Sequence, residues 1–379
     1  MKLKNMLFKK NIIVLIDDFE RYLFFKDILN KYSVKNVTFL HVALYTYIFA
    51  KNDSGLVYSS KNILLRGEKS SLMRDLSIDE VKLGYRVRTE LIINTVKVLE
   101  ESFSDYDHIL IFKGFQYSFY SLHRFLNEEK TIFFEIANFP KKFQWSISGV
   151  NADSDHSLRV SQVSEFISDE QVESLRDLLF TYIPPHVSKK VSSKALESVV
   201  NKFGHIFFNT IYPEPSFIAY AKVAIYAFMS KRVVKSIVSK SRSSINEKYC
   251  LFIGQVEHDS QTVFQSNEVG VSALKKAKNI AEERNIKLIV RLHPAEKNFN
   301  NLMQTIRYCE LNSIEINNAG SLLNVVNDSE FVMTINSTGG AHSILFEKEV
   351  INFGDSFYSN WSKYDVVKYY NYILEDSVF

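Results

Sequence analysis

The sequence predicts an α/β protein in which two domains each carry a parallel, doubly wound sheet. Its 379 residues exceed one typical domain, so two domains are expected. Short apolar runs that suit buried strands alternate repeatedly with amphipathic segments of helical length, as in parallel α/β sheets. Hydrophobic residues make up 46% of the chain, enough for large cores, and this composition argues against disorder.

The first half supplies strands and helices in alternation. Strands are predicted over residues 11–17, 37–42, 107–113 and 131–134, and helices over residues 20–32, 78–103 and 117–128. Residues 52–76 are polar and predict a loop, and residues 141–157 after Pro140 also have the composition of a loop.

Two features that would suggest a metal are weak. Asp153 and Asp155 form a D-x-D triplet, but no predicted strand leads into it, which favours a capped turn. Cys250 and Cys309 are too far apart in sequence to suggest a disulfide framework or a zinc cluster. We therefore expect no metal site.

Residues 164–248 predict helices that are interrupted by prolines. Residues 189–248 contain eleven Lys or Arg against three acidic residues, and the segment 216–229 is mostly apolar. A basic, partly apolar helix suits the anionic face of a membrane or a lipid-linked acceptor. A core helix followed by a solvated linker explains the same pattern. Over the whole chain the formal net charge is only +3, which gives no argument for nucleic acid.

The last third predicts a second α/β array of about five strands, and three of its strand ends carry polar residues. These ends are Gly254 to Ser260, which contains Gln255 and Asp259; Arg291 to Pro294, which contains His293; and Asn336 to Gly340. Ligands of parallel sheets bind beyond the carboxyl ends of the strands. These three segments are therefore the candidate site.

The segment Ser337-Thr338-Gly339-Gly340 follows a strand and opens a helix. Its backbone N–H groups, its two hydroxyls and the positive end of the helix suit an anion, most plausibly a phosphate. A structural turn, in which Ser337 only caps the helix, remains the alternative. In the first domain Glu135 leaves a buried strand and is a candidate general base, or else a salt-bridged surface residue.

Four stretches together resemble the bacterial capsule polysaccharide biosynthesis family, which includes transferases of the acidic sugar Kdo. They are residues 133–154 (FFEIANFPKKFQWSISGVNADS), 251–260 (LFIGQVEHDS), 290–294 (VRLHP) and 334–354 (TINSTGGAHSILFEKEVINFG). The resemblance implies a GT-B architecture, with two Rossmann-like domains facing each other across a cleft, no obligatory metal and no cofactor besides a CMP-activated sugar donor.

The resemblance also implies roles for particular residues. His293, Ser337, Thr338 and the N–H groups of Gly339 and Gly340 would hold the donor phosphate, with Gln255 in the same loop as Asp259. Asp259 would lie at the anomeric centre, as a nucleophile in a retaining reaction or as a base or orienting group in an inverting one. Glu135 would act on the acceptor.

The chain departs from the family pattern just after the Ser337 turn. His342 stands where a glutamate suited to binding a ribose is usual, and Glu347-Lys348-Glu349 replaces a Gly-Lys-Pro entry to the next strand. Glu347 is a substitute candidate for the ribose contact.

The expected activity is transfer of Kdo or another acidic sugar to a surface polysaccharide or its lipid-linked primer. The alternatives are a CDP-glycerol or polyol-phosphate transferase, or a non-catalytic capsule assembly protein.

The expected domain limits are 1–160 for an acceptor-side domain, 161–248 for a basic helical linker and 249–360 for the nucleotide-sugar domain. Residues 361–379 are expected to form a tail that packs back on the first domain. The N-terminal apolar run is short and ends at Asp17-Asp18, which argues against a signal peptide. We therefore expect a cytoplasmic protein that can attach peripherally to the inner face of the cytoplasmic membrane.

Overall fold

The structure, a computed structural model, describes residues 2–51, 53, 59–64, 105–113, 128–137, 139–182, 191–208, 210, 217–241, 245, 247–257 and 259–376. Its α-helices are Leu3–Leu7, Phe19–Lys31, Leu44–Lys51, His156–Ser161, Asp169–Thr181, Val191–Phe207, Phe217–Lys240, Ser260–Gln265, Gly270–Glu283, Phe299–Leu311, Leu322–Asp328, Thr338–Leu345 and Lys363–Lys368. The predicted helix at 78–103 lies outside the described residues, as do residues 117–127 of the helix predicted at 117–128.

Two compact units divide the chain. Unit 1 contains residues 1–155, 183–216 and 374–379, and unit 2 contains residues 156–182 and 217–373. The predicted linker 161–248 is therefore divided between the units. The predicted tail is divided as well, because residues 361–373 belong to unit 2 and only the last six residues belong to unit 1.

Unit 1 is built on a seven-stranded sheet in the order β12-β6-β5-β4-β1-β2-β3. The strands are β1 Asn11–Ile16, β2 Asn36–His41, β3 Ser59–Leu64, β4 His108–Phe112, β5 Thr131–Ile136, β6 Lys142–Ser146 and β12 Glu375–Asp376. The five strands from β5 to β3 pair in parallel, while β6 and β12 are antiparallel. Val14, Leu110 and Phe134 are buried in one core together with Phe24 and Trp145.

Two of these strands correct the loops predicted for unit 1. Strand β3 lies within the polar segment 52–76, and strand β6 lies within the segment 141–157. The sequence of β3, SSKNIL, has no apolar run because it is an edge strand that pairs only with β2. Strand β6 directly follows the turn at Pro140 and pairs back onto β5, with Glu135 opposite Gln144.

Unit 2 carries a five-stranded parallel sheet in the order β11-β10-β7-β8-β9, with the number of strands that the sequence predicts. The strands are β7 Tyr249–Ile253, β8 Lys287–Arg291, β9 Glu315–Ile316, β10 Phe331–Thr334 and β11 Glu349–Asn352. Strand β7 is buried along its whole length, with core clusters on both faces of the sheet. Burial on both faces explains its unbroken apolar sequence.

The α/β class with two Rossmann-like parallel sheets, as in a GT-B-like fold, is therefore confirmed. None of the helices in the described residues combines the length and the apolar character that a membrane span requires.

Candidate functional site

The three predicted strand ends of unit 2 are neighbours. Strands β10, β7 and β8 are adjacent in the sheet. The last residues of these strands are aligned, because Ile253 pairs with Thr334 on one side and with Arg291 on the other. The segments that begin at Gly254, Leu292 and Ile335 therefore leave the same edge of the sheet at the same level.

Gln255 and Asn336 join the ends of β7 and β10. The Gln255 side-chain Nε2 donates to Oδ1 of Asn336 at 2.9 Å, and the Asn336 backbone N–H donates to Oε1 of Gln255 at 2.8 Å. Asn336 is 4% exposed. Since both ends of the Gln255 amide are engaged in this pair, Gln255 holds the two loops together.

The Ser337 turn caps the helix that follows it. Ser337 is the N-cap of helix Thr338–Leu345, and its Oγ accepts a hydrogen bond from the Gly339 N–H at 3.2 Å. This is the structural cap of the alternative interpretation. Thr338 opens the helix and is half-buried, and the Gly340 N–H donates to the Ser337 carbonyl oxygen at 2.8 Å. The positive end of the helix dipole lies at this turn, and binding of an anion there stays a prediction.

Close packing explains both glycines of this turn. A Cβ at residue 340 would lie 2.5 Å from Oη of Tyr358, and a Cβ at residue 339 would lie 3.1 Å from Cδ1 of Ile253. The Tyr358 hydroxyl also donates to the Ser337 carbonyl oxygen, so the turn is held from behind by a buried side chain. No pattern in the sequence indicates that Tyr358 supports this turn.

His293 follows β8 and is half-buried. Its Nδ1 accepts a hydrogen bond from the Ala295 N–H at 3.1 Å, so the neutral imidazole carries its proton on Nε2. Burial lowers the pKa of His293, while the neighbouring carboxylates of Asp259 and Glu296 act in the opposite direction. The ring therefore presents an N–H donor at the same edge of the sheet as the Ser337 turn.

Asp259 lies between β7 and the short helix Ser260–Gln265 and is half-buried. Its backbone N–H donates to the Val256 carbonyl, and its own carbonyl accepts from the Val263 N–H, so a turn and a helix fix its position. Its carboxylate acts to raise the pKa of His293, against the larger effect of burial.

Glu296, which the sequence did not single out, connects two of the loops. One carboxylate oxygen accepts from the Glu257 N–H at 3.1 Å, and the other accepts from the Asn298 N–H at 2.7 Å. The Glu257 carboxylate itself lies against Gly270 at the start of helix Gly270–Glu283, where a Cβ would come within 2.1 Å of Oε1. Both glutamates therefore support the fold of the loops.

Glu347 is not brought to this site. It lies after the last residue of helix Thr338–Leu345, about 12 Å along the helix from the Ser337 turn. Its carboxylate instead makes ion pairs with Lys363 at 2.7 Å and Arg176 at 3.2 Å, which lower its pKa. The ribose contact considered for Glu347 has no support in this geometry.

Glu135 belongs to unit 1, close to the carboxyl end of β5. Its carboxylate accepts from Nε2 of Gln144 at 3.0 Å and lies 3.7 Å from Nζ of Lys113. The side chain is 12% exposed. Glu135 is therefore a positioned carboxylate at a strand end, as predicted, although its role in a reaction stays a prediction.

The D-x-D triplet forms a turn. Ser154 Oγ donates to the Asn151 carbonyl at 2.6 Å, and helix His156–Ser161 follows at once. In the described part of the chain, no group of three His, Cys, Asp or Glu side chains is arranged as metal ligands.

Comparison with known proteins places most of this site in one family. Residues 183–363 match the family model of capsule polysaccharide biosynthesis proteins. That range contains Gln255, Asp259, His293 and the Ser337 turn, whereas Glu135 lies outside it. No curated protein matches the chain in sequence.

Solved structures that are similar to this one include two transferases and an epimerase. Thermosulfurimonas dismutans KpsC, a beta Kdo 2,7 transferase, is 12% identical with a TM-score of 0.45, covering 95% of this chain and 89% of that one. The beta Kdo 2,4 transferase of the same organism's KpsC is 13% identical with a TM-score of 0.38, covering 68% and 73%. A UDP-GlcNAc 2-epimerase of Methanocaldococcus jannaschii is 11% identical with a TM-score of 0.28, covering 97% and 95%.

None of these TM-scores reaches 0.5, so the assignment depends on the family match and on the motifs at the strand ends. Residues 183–363, which include the aligned ends of β7, β8 and β10, therefore match the capsule polysaccharide biosynthesis protein family that the motifs of the chain predict.

Proposed function

We propose that this protein is a glycosyltransferase that moves Kdo or another acidic sugar from a CMP-activated donor onto a capsular or other surface polysaccharide, or its lipid-linked primer. One observation carries the proposal: the aligned ends of β7, β8 and β10 bring Asp259, His293 and the Ser337 turn to one edge of unit 2. The family match of residues 183–363 supports the connection with capsule synthesis.

The leaving group of such a reaction is a nucleotide phosphate, and its charge must be stabilised. The first turn of helix Thr338–Leu345 offers the positive end of a dipole, while the N–H groups of Gly339 and Gly340 donate to Ser337 in this structure. His293 adds the N–H of Nε2, because Nδ1 is engaged with Ala295. Fixed donors of this kind stabilise charge that develops in the transition state, so no metal is needed in this proposal.

Asp259 is the proposed carboxylate at the anomeric centre. It lies near His293, and a covalent role would make the reaction retaining, whereas a role as a base or an orienting group suits inversion. In unit 1, Glu135 is the proposed base or orienting acid for the acceptor hydroxyl, held in place by Gln144 and Lys113.

Association with an anionic membrane is the second part of the proposal. Helix Phe217–Lys240 contains no Asp or Glu, and exposed Ile225 and Phe228 lie on the same face as exposed Arg232 and Lys235. Its Val233, Val234 and Ile237 pack against the core of unit 2. An apolar and basic outer face suits a lipid surface that carries a lipid-linked acceptor.

The test of the enzymatic function begins with the donor. Thermal unfolding of the full chain is measured with CMP, CMP-Kdo, CMP-sialate, UDP-sugars and CDP-glycerol. We expect stabilisation by CMP and a CMP-sugar, because a ligand that binds only the folded state raises the melting temperature. Stabilisation by CDP-glycerol alone would favour a polyol-phosphate transferase, and no stabilisation by any nucleotide would favour the non-catalytic alternative.

Two substitutions then separate binding from chemistry. We expect His293→Asn to weaken CMP binding. We expect Asp259→Asn to keep CMP binding but to lower sugar transfer by at least about a hundred-fold, the size of effect typical of a group that acts in the transition state. Full transfer activity in Asp259→Asn would exclude a catalytic role for that carboxylate.

A further inference from the structure

A surface groove of about 490 Å³ lies along β11, the edge strand of unit 2 that pairs with β10. We call it the edge groove, and it is lined by Lys348, Asn352, Ser359, Trp361, Lys363 and Tyr364. Its volume falls within the range of small-molecule sites in proteins. The groove also contains Glu347 and Glu349, the positions at which this chain departs from its family's pattern.

The charges of the edge groove leave one cation available. Glu347 is paired with Lys363 and Arg176, and Glu349 accepts two hydrogen bonds from Arg284 at 2.7 and 2.8 Å. Lys348 is half-buried and forms no ion pair with any residue in the described part of the chain. The carboxylates are therefore neutralised, and the Lys348 ammonium is free to attract an anion.

Aromatic and small polar side chains complete the groove. Trp361 is half-buried and packs against Phe357 and Tyr369, so its ring is held in place. Tyr364 is 36% exposed, and its hydroxyl donates to Asp169 at 3.0 Å. Rigid rings of this kind supply apolar contact area with little loss of conformational freedom, while Asn352 and Ser359 supply hydrogen-bonding groups.

We infer that the edge groove is a second, non-catalytic binding site for an acidic oligosaccharide. The sugar carboxylate pairs with Lys348, the apolar faces of the sugar rings lie against Trp361 and Tyr364, and hydroxyls bond to Asn352 and Ser359. The choice of an acidic glycan rests on the proposed function, because the product of such a transferase is a polymer of that class. The site would hold the growing polymer on unit 2 outside the reaction centre.

The test uses the full chain and two oligosaccharide probes, an α2,8-linked oligosialic acid as the acidic oligomer and a maltooligosaccharide as the neutral one. Titration calorimetry at low salt is expected to show binding of the acidic oligomer and much weaker binding of the neutral one. Lys348→Ala is expected to weaken binding of the acidic oligomer about five-fold, the upper range for one exposed charge pair. Ser359→Trp, which places a large side chain at an exposed position in the groove, is expected to abolish binding.

Lys275→Ala is the matched control, since Lys275 is an exposed lysine on helix Gly270–Glu283 outside the groove. It is expected to bind the acidic oligomer like the unaltered protein. The inference is overturned if the unaltered protein does not bind the acidic oligomer, if neutral and acidic oligomers bind equally, or if the groove variants bind as tightly as the control.

The CMP-dependent thermal shift, measured on the same variants, separates this inference from the proposed function. We expect Lys348→Ala and Ser359→Trp to keep that shift, because neither residue is part of the donor site. If CMP fails to bind while the acidic oligomer still binds in the groove, the donor assignment is wrong and the edge groove stands.

Discussion

At the scale of single residues, packing decides which glycines of the Ser337 turn are indispensable. Gly340 faces Tyr358, with the hydroxyl oxygen and two ring atoms within 2.8 Å of where a Cβ would be. Gly339 faces the end of a flexible side chain, Cδ1 of Ile253, at 3.1 Å. The two neighbours therefore differ in how much room a methyl group would find.

We predict that Gly340→Ala lowers the free energy of unfolding by about 1–3 kcal/mol, the usual cost of forcing extra volume into a packed core. Gly339→Ala serves as the matched control. We expect it to change that free energy by less than about 1 kcal/mol, because Ile253 can shift and alanine gains helix propensity. Urea denaturation measures both, and equal stabilities of the two variants would contradict the packing argument.

At the scale of elements, His41 secures the edge of the unit 1 sheet. Its Nε2 lies 2.9 Å from Oδ1 of Asn62 on β3, and its Nδ1 lies 3.1 Å from Oγ1 of Thr46 on helix Leu44–Lys51. The ring is 0% exposed, and burial lowers its pKa to about 4. A neutral imidazole at the end of β2 therefore links this strand to β3 and to helix Leu44–Lys51, which lies between the two strands in sequence.

This burial predicts loss of stability in acid. A histidine in the unfolded chain has a pKa of about 6.5. Between pH 6.5 and 4, His41 is therefore protonated in the unfolded chain but neutral in the folded protein. Stability therefore falls as the pH drops through that window, by about 2 kcal/mol at pH 5 for this group. Urea denaturation at pH 7 and pH 5 measures the loss, and His41→Asn is expected to show a smaller one. An equal loss in the variant would rule out His41 as the cause.

The turn and helix at Ser337 show a second effect of element geometry. Ser337 and Glu347 lie at opposite ends of helix Thr338–Leu345, so their closeness in sequence does not place them in one site. Glu347 instead joins Arg176 and Lys363, which come from helices Asp169–Thr181 and Lys363–Lys368. Glu347 therefore lines the edge groove and lies at the far end of the helix from the Ser337 turn.

At the scale of the whole molecule, helix Phe217–Lys240 is the main candidate for contact with a membrane. Along its outer face Ile225 is 57% exposed and Phe228 is 61% exposed, and the Arg232 guanidinium lies 5.6 Å from the centre of the Phe228 ring. Exposed Lys231 and Lys235 follow on the same half of the helix.

We predict that the full chain sediments with vesicles that contain an anionic lipid and not with neutral vesicles. Replacing Lys231 or Lys235 by Ala is expected to weaken binding about five-fold each, because one basic residue near such a surface contributes about 1 kcal/mol. Lys275→Ala, on another helix of unit 2, is the control and should bind normally. If the chain binds neutral and anionic vesicles equally, and the lysine variants bind like the unaltered chain, a membrane role for this helix is contradicted.

Much of the architecture could be predicted because it depends on local patterns. The apolar runs of β1, β7 and β10 mark strands buried on both faces, and the small residues after Asn336 mark a turn that opens a helix. Strands β3 and β6 could not be recognised, since an edge strand and a strand folded back at Pro140 need no apolar run. Their pairing partners define them.

The sequence by itself determined the α/β class, the family that residues 183–363 match and the three polar strand ends, because periodicity and short motifs are properties of the chain alone. Only the tertiary structure decided that these ends are adjacent and level, that Tyr358 and Gln255 hold them, and that Glu347 lies elsewhere. The reason is physical. Strand order, register and the length of a helix set which distant residues meet, and no local pattern records them.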